Sequence, residues 1–418
     1  MLLSFSVTNY LSFKNKETIS FLANADSNQR DFYIESHGKY DILKMAGIFG
    51  ANASGKSNLI GALTHLRTLV TDDNQKKEDK INRPAFAFDD ISKDEPSIFE
   101  ISFFNQVRFD YLIEFNDDQI IRESLYFYKP RKALVFLRKV NEEGVSEIEF
   151  GSKINYKAEA VEALKSYLIR NRSVIAAIGK VEIDNKELEL ARYGLVFFIF
   201  LKDNSTRNMA LYLLEGNPKL KETVIEHLKR ADYNIDNFDV KKMEYPPEFI
   251  ENIGEQNESM KKFLSPKKIY FQHLVKIFND QKEYVLNENL ESSGTMAYFY
   301  YAVILSYFQK SGGILIIDEL ESSLHPELIE FFIDSFMLNT TNSQLIFTSH
   351  YLPILEDQED IRKDVVWFTN KREDGSTELY SLKDFKIRSE LNFYRAYKVG
   401  KFSAKPILGS VIVPVKKD

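Results

Sequence analysis

The sequence has no cysteine among its 418 residues. That excludes a disulfide framework, a thiolate zinc site and a cysteine nucleophile together, and it fits a reducing interior. Long apolar runs are also missing. The longest, Leu195 to Leu201, is far short of the ~20 residues a spanning helix needs, and the start Met1-Leu2-Leu3-Ser4-Phe5 lacks a basic leader region. A cytoplasmic protein without membrane attachment is expected. Positive charge is not in excess: 55 Lys and Arg stand against 62 Asp and Glu, a net charge of −7. This argues against coating nucleic acid through bulk charge, so a nucleic-acid ligand is possible but not indicated. A local basic patch from Lys219, Lys221, Lys229, Arg230, Lys261, Lys262, Lys267 and Lys268 stays open beside the plainer reading of a solvated helical face. No internal repeat and no low-complexity tract is visible.

What is present is ordinary globular material, with 44% hydrophobic and 28% charged residues. Leu3 to Phe21 alternates apolar and polar positions and predicts a strand meander. Lys44 to Phe49 is a short apolar run, a glycine-rich segment follows, and Ser57 to Val70 has helical spacing. Four strands are predicted at Ser97–Phe104, Val107–Phe115, Ile120–Tyr128 and Ala133–Arg138. From Tyr156 to about Ala231 the spacing turns helical, and Tyr245-Pro246-Pro247 with the polar Glu251 to Lys262 stretch reads as a loop or hinge. Short apolar strands at Ile314–Ile317, Leu345–Phe347 and Val365–Phe368 then alternate with helices at Met296–Phe308 and Glu327–Met337. The expected fold class is α/β with a parallel sheet covered on both faces. Three parts are expected: 1–155 with the meander, glycine loop and β-rich block; a helical insertion at 156–262; and 263–418 with the buried strands.

Gly50, Ala51, Asn52, Ala53, Ser54, Gly55, Lys56 and Ser57 match the phosphate-loop pattern G-x-x-x-x-G-K-S between a predicted strand and a predicted helix. The two glycines let backbone N–H groups converge on phosphate oxygens at a helix N-terminus. Lys56 reaches the β- and γ-phosphates, and the Ser57 hydroxyl can ligate Mg²⁺. A chance glycine turn is the competing reading, and the strand-loop-helix context disfavours it.

Ile314-Leu315-Ile316-Ile317 delivers Asp318 and Glu319 to the end of a buried strand, the Walker B pattern. Asp318 is assigned to the metal and Glu319 to the base that polarises the attacking water; a pair that merely caps the next helix is the alternative. Glu291 to Thr295 offers hydroxyls and N–H groups at a helix start, about twenty residues before that strand. It could equally be a simple cap. Glu321-Ser322-Ser323-Leu324-His325-Pro326 follows the acidic pair. His350 closes the strand ending Phe347-Thr348-Ser349, where it can bond a γ-phosphate or order water, or else serve as a structural histidine.

The order of these elements resembles the ABC-type ATPase heads of the SMC, Rad50 and RecF group, to which the OLD ATPases are related. Within that group, Phe49 to Asn58, Val7 to Lys14, Asp318 to Pro326 and the tail Asn392 to Phe402 look like the bacterial AAA15/AAA21-type ATPases, among them the RloA and abortive-infection AbiL proteins. The resemblance implies ATP and Mg²⁺ as ligands, with Asn58 closing the loop segment. It implies a homodimer, or a higher even oligomer, through composite ATP sites. Ser292 and Gly294 would then act on the nucleotide of a second copy, His350 would be the switch histidine, and Ser323 to His325 the segment spanning the dimer. Ala51 and Ala53 depart from the usual Pro and Gly, Ser293 from a signature glycine, and Leu11 stands where many relatives carry arginine. Gln106 is a candidate for the glutamine loop.

Related proteins imply anti-phage defence, in which an ATPase controls a separately encoded effector, often a nuclease. After the His350 strand the chain offers Val365–Phe368, Leu379–Leu382 and a short tail, too little for a nuclease of its own. The alternative is a DNA repair or recombination ATPase that grips duplex directly; the acidic balance and the lack of a long coiled coil weigh against it. A GTPase reading rests on Asn370-Lys371-Arg372-Glu373. It lacks the required aspartate, and a hairpin loop between Phe368 and Thr377 explains the run.

Overall fold

The computed structural model describes residues 1–141, 143–153, 158–181, 185–201, 205–231, 234–242, 267–277, 280–322, 324–351 and 361–385. The chain forms two compact units, one of Met1–Lys202, Gly312–Leu320 and Thr340–Asp418, the other of Asp203–Ser311 and Glu321–Asn339. Strands and helices are numbered along the chain through both.

In the first unit, β1 (Leu2–Thr8) and β2 (Glu17–Ser20) form the predicted meander. The hairpin β3 (Ile34–His37) and β4 (Tyr40–Leu43) leads to β5 (Met45–Phe49). The β-rich block is β6 (Ser97–Asn105), β7 (Val107–Phe115), β8 (Ile120–Tyr128), β9 (Lys132–Val140) and β10 (Ser146–Phe150). These join β1 and β2 in a seven-stranded antiparallel sheet of order β10-β9-β8-β7-β6-β1-β2. Burial alternates along β6, where Ser97, Phe99, Ile101 and Phe103 face inward, because side chains on a strand change face at every residue.

A second sheet of the same unit carries the chemistry. It contains β11 (Phe198–Leu201), β15 (Gly313–Ile317), β16 (Ser343–Ser349), β5, β17 (Val366–Lys371) and β18 (Thr377–Ser381), in that spatial order. All neighbours are parallel except the β17–β18 hairpin. β5 and β16 are buried at every position, as expected of apolar strands covered on both faces. Ile317 pairs with Phe347, and Phe49 with both Ser349 and Phe368, so the carboxyl ends of β15, β16, β5 and β17 come out along one edge. The turn of the β17–β18 hairpin holds Arg372 to Ser376, closed by the Arg372 N–H on Ser376 O at 2.8 Å. This is the hairpin that explains the Asn370 to Glu373 run.

The helices of this unit are α1 (Arg30–Tyr33), α2 (Lys56–Thr71), α3 (Asp90–Asp94), α4 (Ala158–Tyr167), α5 (Val174–Ile178) and α6 (Lys186–Val196). α2 buries Leu59, Ile60, Leu63, Leu66, Leu69 and Val70 at three- and four-residue spacing. Each such side chain contributes about 1.5–3 kcal/mol. α5 and α6 pack on α2, and the Ser173 hydroxyl both caps α5 and donates to Leu69 O at 2.7 Å. The stretch predicted as helical from Tyr156 is therefore interrupted by β11. A short apolar run such as Phe198–Leu201 does not distinguish strand from helix by its period, and pairing with β15 decides it.

The second unit holds α7 (Ser205–Gly216), α8 (Leu220–Arg230), α9 (Ser293–Ser311), α10 (Pro326–Asn339) and the antiparallel sheet β12 (Ile235–Lys242), β13 (Lys267–Ile277) and β14 (Asp280–Asn287). α9 is its hub and packs against α7, α8 and α10. Of the lysines considered as a basic patch, Lys221, Lys229 and Lys267 pair with Asp239, Asp236 and Glu215 at 2.8, 2.8 and 2.6 Å. The Tyr245-Pro246-Pro247 loop, the Glu251 to Lys262 stretch, Ser323 and the tail Asn392 to Phe402 lie outside the described residues. Among the described residues no helix is long and apolar enough to cross a membrane.

Candidate nucleotide site

The chain leaves β5 at Phe49 and curls through Gly50 to Gly55 before α2 begins at Lys56. Gly50 has φ +155° and Gly55 φ +111°, values that a side chain would strain. At Gly55 a Cβ would also run into Thr377 of β18. Ala53 takes the left-handed φ of +61° without being glycine. The Lys56 ammonium is buried inside the curl and donates to Gly50 O at 2.8 Å and Ala51 O at 3.0 Å. Asn52, Ala53 and Ser57 are exposed, whereas Ser54 is buried against the Thr369 hydroxyl at 2.6 Å.

β15 ends in the acidic pair, and the two carboxylates are held differently. Asp318 is buried; its Oδ1 accepts from the Ser57 hydroxyl at 3.1 Å and from the Thr348 hydroxyl at 2.6 Å. Glu319 is exposed and sits at φ +57°, a conformation that costs a non-glycine residue about 1 kcal/mol or more. Its backbone N–H donates to Thr348 Oγ1 at 2.8 Å, and Leu320 N–H donates to Thr348 O at 3.1 Å. One fully buried threonine thus holds the Asp318 carboxylate and the Glu319 backbone together. β16 lies between β15 and β5 and brings His350, exposed, to the same edge.

These residues enclose one cavity of about 650 Å³. Asn52, Ala53, Gly55, Lys56, Ser57 and Asn58 line it from the loop, Glu319 and His350 from the other strand ends, and Leu11, Ser12, the Pro84–Phe88 loop, Lys371 and Gly375 lie on the remaining sides. Leu11, at φ +51°, faces the cavity. The loop is braced from behind by hydroxyls that the sequence did not flag. Thr377 Oγ1 bonds Ser12 Oγ at 2.7 Å and Ser54 O at 2.9 Å, and Asn58 Nδ2 donates to Ser12 Oγ at 2.7 Å. Gln106 sits at the β6–β7 turn with φ +61° and is not among the described residues lining the cavity.

Ser292, Gly294 and His325 belong to the second unit. Ser292 is the N-cap of α9: its hydroxyl accepts from Thr295 N–H at 3.0 Å, and Gly294 follows in the first turn. His325 is exposed at the start of α10, and its carbonyl accepts from Leu328 N–H at 2.9 Å.

A phosphate loop, a buried aspartate against its serine and an exposed glutamate, all at the carboxyl edge of a parallel sheet, define the catalytic head of a P-loop ATPase. The chain belongs to the AAA_21 family, described as "AAA domain, putative AbiEii toxin, Type IV TA system", whose profile matches residues 45–355. No curated protein matches it. Among solved structures it is similar to the SMC head domain from Thermotoga maritima, at 11% identity, with 91% of this chain and 98% of that one covered and a TM-score of 0.43. An SmcHead bound to the C-winged helix domain of ScpA gives 12%, 91%, 97% and 0.41. The Smc head with an extended coiled coil bound to the C-terminal domain of ScpA, derived from Pyrococcus furiosus, gives 12%, 97%, 99% and 0.33.

Proposed function

We propose that this ATPase binds ATP with its phosphates in the loop Gly50 to Asn58, hydrolyses it with Glu319 as general base, and uses the bound state to dimerise and control a separately encoded effector in anti-phage defence. The observation that carries the catalytic part is the 3.1 Å approach of Ser57 Oγ to Asp318 Oδ1. It joins motifs 261 residues apart and sets a hydroxyl beside a carboxylate, the hard oxygen pair that suits Mg²⁺. Ser57 and Asp318 would hold the ion, which supplies charge neutralisation on the phosphates. Lys56 and the N-terminus of α2 supply the rest of the positive field.

Glu319 is the carboxylate free of the buried pair with Ser57 and open to the cavity, which suits the base that orients and deprotonates water. His350, on the next strand end, suits a contact to the γ-phosphate. Ser292 and Gly294 at the start of α9, with Ser323 to His325, would complete the site of a second copy. A family description that names a toxin–antitoxin system supports a two-component arrangement. The carboxylate partners of Lys221, Lys229 and Lys267 weigh against a surface that grips DNA directly.

The test of assembly is the mass of Glu319→Gln by light scattering with and without MgATP. Doubling on addition of nucleotide supports the reading. An unchanged monomer mass at saturating MgATP contradicts the dimer.

A further inference from the structure

The cavity is lined by two kinds of surface. At the loop end lie Lys56, Ser57, Glu319 and His350, groups suited to phosphate, metal and water. With Asn52, Ala53, Gly55, Asn58 and Ser12 also on the loop side, the far side is Leu11, Pro84, Ala85, Ala87 and Phe88, with Lys371 and the hairpin turn at Gly375 beside them. A triphosphate makes no use of that apolar half. Phe88 stands out there because its side chain is 72% exposed while Phe86, two residues earlier, is 1% exposed.

The Phe88 ring is nevertheless held in a defined place. Phe86 meets it edge-on at 5.8 Å and 80°, the Lys371 ammonium lies 5.8 Å from its centroid, and a Cβ on Gly375 would come within 2.7 Å of its Cδ2. The loop that carries it is pinned as well. Asn9 accepts from Phe86 N–H at 3.1 Å and donates to Ser92 O at 2.7 Å and Glu95 O at 2.8 Å, and Arg83 donates to Lys93 O at 2.6 Å.

We propose that Phe88 is the platform on which the nucleobase stacks, and that Leu11 and the Pro84–Phe88 loop form the base end of the nucleotide site. The inference rests on the nucleotide reading above and deepens it. A cavity of about 650 Å³ falls in the ~300–1,000 Å³ range of small-molecule sites, and an aromatic ring facing into it offers a π-surface to any base. The same half has few groups with which to read a base edge. Leu11 N–H is spent on Pro84 O at 2.7 Å, Ala85 N–H on Arg83 O at 3.1 Å and Phe86 N–H on Asn9, while the Leu, Pro and Ala side chains carry no donor or acceptor. Selection therefore follows stacking area, purine over pyrimidine, more than hydrogen bonding.

The experiment compares MgATP with magnesium tripolyphosphate, which has the phosphates without the base, on the full chain. Phe88→Ala is expected to weaken MgATP binding on the order of tenfold and leave tripolyphosphate binding unchanged, with Phe88→Tyr restoring ATP affinity. In Phe88→Trp, ATP is expected to change the tryptophan emission and tripolyphosphate is not; the native Trp367 is buried and in both ligand states serves as background. Wild-type binding of both ligands with no effect of Phe88→Ala on either overturns the stacking platform alone, as does an equal loss of both. A wild-type protein that binds neither ligand overturns the nucleotide reading itself.

Discussion

The two ends of the parallel sheet bury the same kinds of side chain and put them to opposite use. Lys44, entering β5, and Lys56, leaving the loop after it, are each 7% exposed, and each ammonium donates to backbone carbonyl oxygen, Thr340 O for Lys44 and Gly50 O and Ala51 O for Lys56. Burial holds the Lys44 pKa below the ordinary lysine value, only partly offset by the Glu35 carboxylate. At that amino end the polar groups close on the fold: Gln344 donates to Leu2 O and Leu43 O at 2.9 Å each and accepts from Leu2 N–H. At the carboxyl end Asp318 is held as tightly, but Ser57, Glu319 and His350 beside it open to a cavity. A buried lysine or carboxylate is therefore no signal by itself. What its neighbours leave open to solvent decides between brace and site, and open α/β sheets place that opening at the carboxyl ends of their strands.

The contrast can be broken from either side. Glu319→Gln should lower ATP turnover by about 10²–10⁴-fold while ATP affinity holds, the usual loss for a general base, measured by phosphate release beside a binding titration. Thr348→Val keeps the shape of the side chain and removes the hydroxyl that bonds the Asp318 carboxylate and the Glu319 backbone N–H. It should cut turnover by roughly tenfold, the equivalent of about 1.4 kcal/mol for a lost hydrogen bond, and raise the magnesium concentration needed for half-maximal rate. Thr348→Ser should restore both. A Thr348→Val enzyme with wild-type magnesium dependence would show that the threonine only packs.

At the closed end, Gln344→Leu leaves buried backbone groups of Leu2 and Leu43 without partners and should cost about 1–3 kcal/mol of stability. In denaturant titration the midpoint should fall while the KM for ATP stays put. The smallest effect is Ala53→Gly, which relieves a left-handed residue and should stabilise by roughly 0.5–1 kcal/mol, seen as a small rise in melting temperature.

Much of the sheet was legible because its strands are apolar runs bounded by polar turns: β5, β15 and β16 each fall within two residues of their predicted limits. The loop was legible because glycine, lysine and serine at fixed spacing have few other uses. The sheet β12-β13-β14 was not. β13 and β14 mix lysine and glutamine with scattered apolar residues, and only Ile269 and Phe271 of β13 are buried, so neither alternation nor an apolar run announces them. Thr348 was hidden for another reason: a threonine in a buried strand looks like any β-branched filler, and only pairing across β15 and β16 turns its hydroxyl toward Asp318. Ser12 and Thr377 meet at the loop from 365 positions apart, a contact no local pattern encodes. Phe88 lay in a stretch with no periodicity, and its meaning comes from the cavity it borders.

The most direct test sets the two buried lysines against each other in one calorimetric titration with MgATP. Lys56→Ala should lose affinity on the order of a hundredfold or more, because it removes the cation proposed to hold the phosphates, whereas Lys44→Met should bind as the wild type does. Wild-type affinity in Lys56→Ala, or an equal loss in both variants, would contradict the assignment of the nucleotide to the carboxyl edge of the sheet.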